Sequence, residues 1–137
     1  MGRITHPLAI YLSSLRFRPY IWGTLDCNLF IVDWIDSIDD TNIAKEIRGM
    51  YSTKISAYKF AKKYTAAPDY LRSVGFEQLL GGGNKQNGDI VLQQHGHIYN
   101  AWIILENKAY SYAEDLGVGI GDPKEIGTDG QTVWRRT

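Results

Sequence analysis

The 137-residue chain has a single cysteine, Cys27, only four prolines and no excess charge of either sign, with 15 Lys+Arg against 15 Asp+Glu. One cysteine cannot close an internal disulfide, so packing and hydrogen bonds must hold the fold. The balanced charge argues against the broad basic surface that sequence-independent nucleic-acid binding requires, leaving room only for a local patch. Long apolar runs are missing too. None is longer than Ala101–Leu105, far short of the roughly 20 residues that span a bilayer. Met1–Pro7 lacks the apolar stretch of a secretory signal, and His6 stands where N-myristoylation prefers Ser or Thr. What the chain does have is core-forming material, with 44% hydrophobic residues, including four Trp, nine Tyr and four Phe. At this length the composition predicts one domain spanning residues 1–137, made in a reducing compartment, with no membrane span and no nucleic-acid partner.

The pattern changes half-way along. Pro7 opens a helix with Leu8, Tyr11, Leu12 and Leu15 on one face, ending before Pro19. A second helix carries Cys27, Phe30, Ile31, Trp34, Ile35 and Ile38 as a one-sided stripe, with Thr24 as its expected cap. Asp39-Asp40-Thr41 stops it and is the expected cap of a short helix over 42–48, closed by Gly49. Ser52 is the expected cap of a helix over 53–64, with Ile55, Tyr58, Ala61 and Lys62 following a weaker amphipathic pattern, and Pro68–Ser73 forms one more. After residue 75 the signal becomes β: strands at 76–80, 89–93, 98–106 and 108–113, with a tight hairpin at Glu106-Asn107. Gly81–Gly88 reads as a flexible loop. Gly117, Gly119 and Gly121 interrupt the pattern before a last strand at 131–135. Helices in the first 75 residues (1–18 and 19–75) and an antiparallel sheet over 76–137 make the expected class α+β.

Chemistry concentrates at Pro19–Phe30. There the only cysteine starts the second helix just after a Trp-Gly turn, close to the partial positive charge that favours thiolate. The alternative for Cys27 is a small hydrophobe on the apolar stripe. Asp26 likewise reads either as a support for the nucleophile or as a negative residue at a helix start. His95-Gly96-His97 reads as a solvated turn or as the source of a base; with one distant cysteine it lacks a recognisable metal-ligand set, so no metal and no cofactor are expected. His6 has no motif around it.

Tyr20-Ile21-Trp22-Gly23, then Asp26-Cys27 and an apolar helix, resembles the nucleophile motif of NlpC-type peptidases, a papain-like group. Gly88-Asp89-Ile90-Val91-Leu92 is similar to that family's Gly-Asp-apolar strand, and Ala101–Tyr110 to the hairpin after it. The chain is more similar still to a compact subfamily from phages and prophages. That likeness rests on Asp33-Trp34, Arg48-Gly49-Met50-Tyr51 and Trp134-Arg135, and spans about residues 18–136. The resemblance implies a papain-like fold, N-terminal helices on a C-terminal sheet, with Cys27 as nucleophile and Asp26 supporting it. The family's histidine base falls at Asn100, whose amide is not basic near neutral pH. His97 is then the provisional base, but it lies three residues earlier, on the opposite face of a regular strand unless a bulge resets the alternation. Ser111, Tyr112 and Glu114 are available to orient the base, and N–H groups at the helix start would bind the oxyanion.

Two functions follow from the resemblance. One is a cysteine peptidase that opens cell-wall peptide stems from a phage tail tip during DNA entry, made in the bacterial host cytoplasm and carried in the virion tail. The other is a catalytically degenerate member kept as a structural or assembly part of the tail tip, bound to other tail-tip proteins. An acyltransferase or amidase using the same cysteine is a more distant third.

Overall fold

The computed structural model describes residues 6–63, 67–80, 85–95, 98–113, 117–121 and 131–136. Five helices precede six strands in it: α1 (Pro7–Ser14), α2 (Cys27–Asp39), α3 (Ile43–Ile47), α4 (Lys54–Lys63), α5 (Ala67–Ser73), then β1 (Phe76–Gln78), β2 (Ile90–His95), β3 (Ile98–Leu105), β4 (Lys108–Ala113), β5 (Gly117–Gly121) and β6 (Gln131–Arg136). The strands form one sheet in the order β1-β6-β2-β3-β4-β5, with every pair antiparallel. The α+β class expected from the sequence is the class observed.

The helices pack on one face of this sheet. Leu8, Leu12 and Leu15 of the α1 segment and Phe30, Ile31, Trp34 and Ile35 of α2 bury against Ile90, Leu92, Ile103, Leu105, Tyr112 and Trp134. Side chains of this size each stabilise the fold by roughly 1.5–3 kcal/mol when removed from water. Alternate residues of the same strands, Val91, Ile104 and Ala109, form a separate small cluster with Trp102 and Val133 on the far face. No helix among the described residues is long and apolar enough to cross a membrane.

Local chemistry explains where the helices start and stop, and it revises the caps expected from sequence. Asp26, not Thr24, caps α2, because its side chain accepts from the N–H groups of Asn28 and Leu29. Asp40 ends the helix in the left-handed conformation, at φ 56°. The α3 start is capped not by Asp39-Asp40-Thr41 but by Asp36 of α2, which accepts from Ile43 N and Ala44 N at 3.1 and 2.8 Å. Thr53, not Ser52, caps α4, with Ser56 N donating to its Oγ1 at 3.1 Å.

The stripes are also wider or turned. Leu29 and Val32 of α2 bury into a second cluster with Ala44, Ile47, Tyr51 and Ala57, while Ile38 lies exposed. In α4 Ile55 and Tyr58 of the expected amphipathic pattern face solvent, and Ala57 and Phe60 pack inward instead. Its apolar residues, Ile55, Ala57, Tyr58, Phe60 and Ala61, spread round the helix, so periodicity does not select the buried side. Glu106 and Asn107 both take positive φ, 50° and 62°, as a two-residue type I′ hairpin turn demands. The glycines at 117–121, read as an interruption, build a strand in register with β4 from Ala109↔Gly121 to Ala113↔Gly117. Glycine has poor intrinsic strand preference, so only the partner strand reveals this element.

The Gly-Asp and Trp-Arg motifs meet in the sheet. Asp89, 1% exposed, accepts two hydrogen bonds from Arg135, Nε to Oδ1 at 2.9 Å and Nη2 to Oδ2 at 2.8 Å. Gln86 N adds a third at 2.8 Å. This fork fixes β6 against the start of β2.

Candidate functional site around Cys27

Cys27 opens α2 and is half-buried. The turn before it is closed by a bridge in which Ile21 and Leu25 exchange both backbone hydrogen bonds at 2.9 Å. Gly23 sits at its apex with φ +82°, and a Cβ there would lie 1.7 Å from the Tyr51 carbonyl oxygen. Only glycine fits the conformation and the contact.

Asp26 is fully buried and organises the turn. Its Oδ1 accepts from Asn28 N at 3.0 Å and Leu29 N at 2.9 Å. Its Oδ2 accepts from Gly23 N at 2.9 Å and from the Tyr51 hydroxyl at 2.6 Å. The Arg48–Tyr51 segment clasps the same turn from outside. Arg48 donates through Nε to Thr24 O at 2.8 Å and through Nη2 to Asp33 at 2.6 Å, and Gly49 N donates to Gly23 O at 2.9 Å. The Arg-Gly-x-Tyr motif was visible in the sequence, but its role was not. It is a clamp on the cysteine turn.

Tyr20 completes the surroundings of the thiol. Cys27 N–H donates to the Tyr20 phenol oxygen at 3.1 Å. The Tyr20 ring meets Trp22 edge-on, with centroids 5.1 Å apart, and stacks on Tyr112 at 5.3 Å. Tyr112 donates from its hydroxyl to Arg18 O at 2.7 Å, anchoring the chain just before the motif. Of the residues considered for orienting a base, Tyr112 is therefore on the cysteine side. Ser111 alternates with it onto the far face, and Glu114 lies outside the described residues.

Electrostatics run against a resting thiolate. Burial pushes the Cys27 thiol up, the Tyr20 hydroxyl pulls it down, and the Asp26 charge pushes it up again; the balance is upward. The helix start alone pointed the other way, and desolvation outweighs it. Burial also pushes the Tyr20 phenol up, as does its contact with Cys27.

The oxyanion donors expected at the helix start are all engaged. Cys27 N–H is taken by Tyr20, those of Asn28 and Leu29 by Asp26 Oδ1, and that of Phe30 by the Asp26 carbonyl at 2.8 Å.

The histidines contribute no base among the described side chains near this turn. Register between β2 and β3 is unbroken from Ile90↔Ile103 to His95↔Ile98, so no bulge resets the alternation within these strands. Ala101 and Ile103 pack toward α2, whereas Trp102 and Ile104 belong to the far cluster. Asn100, exposed, shares their far face by alternation. The structure thus places Asn100 on the face of β3 away from α2. His97 lies outside the described residues. His6 caps α1, its Nδ1 accepting from Leu8 N at 3.1 Å. Among the described residues no group of three or more His, Cys, Asp or Glu is gathered to hold a metal ion.

Compared with known proteins, the chain matches a family described as a domain of unknown function, DUF6950, over residues 3–129. The chain belongs to that family. No curated protein and no solved structure matches the chain. The DUF6950 match takes in the cysteine turn, its Arg48–Tyr51 clamp and the strands through β5.

Proposed function

We propose that this DUF6950 protein is a papain-like, NlpC-derived domain that has kept the nucleophile turn as architecture and works as a structural or assembly part of a phage tail tip. The papain-like ancestry and the tail-tip setting rest on the sequence resemblance at Tyr20–Cys27, Asp33-Trp34, Arg48–Tyr51 and Trp134-Arg135. The observation that carries the loss of catalysis is the state of the α2 start, where all four leading N–H groups are engaged. An acyl-transfer site must instead hold donors open where charge develops. A thiol pushed up by burial and an Asn100 turned to the far face support the same reading.

A second reading is favoured by one specific observation: the only cysteine occupies the first position of a 13-residue helix. On that reading Cys27 attacks an amide of the cell-wall peptide stem, and His97 takes the thiol proton and returns it to the leaving amine. Release of peptides from purified peptidoglycan by wild type and by Cys27→Ala separates the two. Equal, background-level release is expected; release that disappears with Cys27 overturns the structural reading and establishes the hydrolase.

A further inference from the structure

The formal charge of the chain is zero, but it is not spread evenly. Between Glu46 and Asp69 there is no acidic residue, while Arg48, Lys54, Lys59, Lys62 and Lys63 all fall there. Arg48 is taken up by Asp33. The four lysines belong to α4, and among the described residues no carboxylate pairs with Lys54, Lys59 or Lys63. Ala57 and Phe60 turn the inner side of this helix to the core. At 3.6 residues per turn, Lys54, Tyr58, Ile55, Lys59 and Lys63 follow one another round the opposite side, and all five are exposed. Ile55 keeps 69% of its surface in water. Lys54 holds its ammonium over the Tyr58 ring, 6.0 Å from the centroid. An aliphatic and an aromatic side chain thus sit in the middle of the outer face, with lysines on both flanks. Lysines in the last turn suit a helix C-terminus, which accounts for their sign there but not for the bare isoleucine between them.

We propose that the outer face of α4 docks on an anionic lipid bilayer, with Ile55 and Tyr58 entering the headgroup layer and the lysines meeting lipid phosphates. Charge complementarity sets the sign of the partner. Each lysine near an anionic bilayer adds attraction, and no carboxylate in this segment offsets it. The apolar pair selects the class of partner. A nucleic acid would offer phosphates without an apolar layer, and Ile55 would gain nothing from it. A bilayer offers both at one boundary: lysine stems lie along apolar surface while their heads stay in water, and tyrosine suits the headgroup level. The helix does not insert. Its inner side is held by Ala57 and Phe60, so it lies in the plane of the interface. One ten-residue helix supplies modest attraction, so binding is reversible and weakens as salt rises. The docking does not depend on the reading of Cys27.

Co-sedimentation of the full chain with vesicles tests this, comparing phosphatidylglycerol and phosphatidylcholine in equal parts with phosphatidylcholine alone. Wild type is expected to bind the mixed vesicles, to bind the neutral ones far more weakly, and to be released by salt. Lys59→Gln and Lys63→Gln should each lower the partition about fivefold, the weight of one lysine at such a surface. Ile55→Ser leaves the charge intact and should lower it by a similar factor. Circular dichroism and urea midpoints matching wild type establish that these surface variants are folded. Should one not fold, wild type decides against a charge competitor: duplex DNA in excess of vesicle phosphate should leave most of the protein on the vesicles. Wild type that ignores the mixed vesicles, binds both compositions alike or moves to the DNA overturns the proposal. So does an Ile55→Ser protein that binds as tightly as wild type.

Discussion

Tyr51 donates its phenolic proton to Asp26 at 2.6 Å, across 25 positions of sequence and between two buried side chains. The bond ties the segment after α3 to the cap of α2, and through the cap to Gly23 and Cys27. Burial and the acceptor carboxyl both push the Tyr51 phenol up. Tyr51→Phe removes this bond while keeping the ring against Phe60. A hydrogen bond to a charged group contributes about 1.5–3 kcal/mol, and that loss is expected in the urea midpoint at unchanged slope. A change below about 0.5 kcal/mol, the range of neutral surface substitutions, would count against the clamp.

Gly23→Ala is expected to be more damaging. The added Cβ would overlap the Tyr51 carbonyl oxygen, which is backbone and cannot swing aside, and φ +82° is strained for alanine. Left-handed strain and overpacking together cost at least about 3 kcal/mol. Chemical denaturation measures it. Gly49→Ala is the control, since it has positive φ but nothing within 4 Å of the added Cβ, so only the conformational part of the cost is expected there.

Alkaline pH should unfold the protein for an identifiable reason. The Cys27 thiol and the phenols of Tyr11, Tyr20, Tyr51 and Tyr112 are all pushed up in the folded state, chiefly by burial. In the unfolded chain a cysteine loses its proton near pH 8.5 and a tyrosine near pH 10. Above those values the folded state binds more protons than the unfolded one, so stability falls as pH rises. The contribution is fully present below about pH 8.5. Urea midpoints should therefore drop steeply beyond about pH 10. A midpoint that holds steady through that range would contradict this.

These outcomes show what sequence reading reaches and where it stops. The helix-then-sheet order, the Cys27 helix and the Glu106-Asn107 turn were legible because each depends on local pattern or on one residue's backbone freedom. The caps were misplaced because Thr24 and Asp26, or Ser52 and Thr53, are all competent capping residues, and geometry a residue or two away decides between them. β5 was invisible because alternating glycines carry no strand preference and pairing with β4 alone defines it. Within the site, Asp26-Cys27 marked the turn, but the partners that set its chemistry come from 25 residues downstream in Tyr51 and from a distant strand in Tyr112. Asn100 was aligned by motif spacing. Its face follows from an unbroken register with β2, which no single strand reveals.

The Cys27 thiol, pushed up by burial, is expected to rest protonated and held in architecture. It can be measured directly, because this is the only cysteine in the chain. The rate of alkylation by a small neutral reagent, followed against pH on the folded protein, reports the thiolate fraction of this one group. The expected midpoint lies above the ordinary thiol value of about 8.5 and moves higher still in Tyr20→Phe, where the hydroxyl that pulls the thiol down is gone. A midpoint below about 7, as in thiols activated by a neighbouring imidazole, would contradict it.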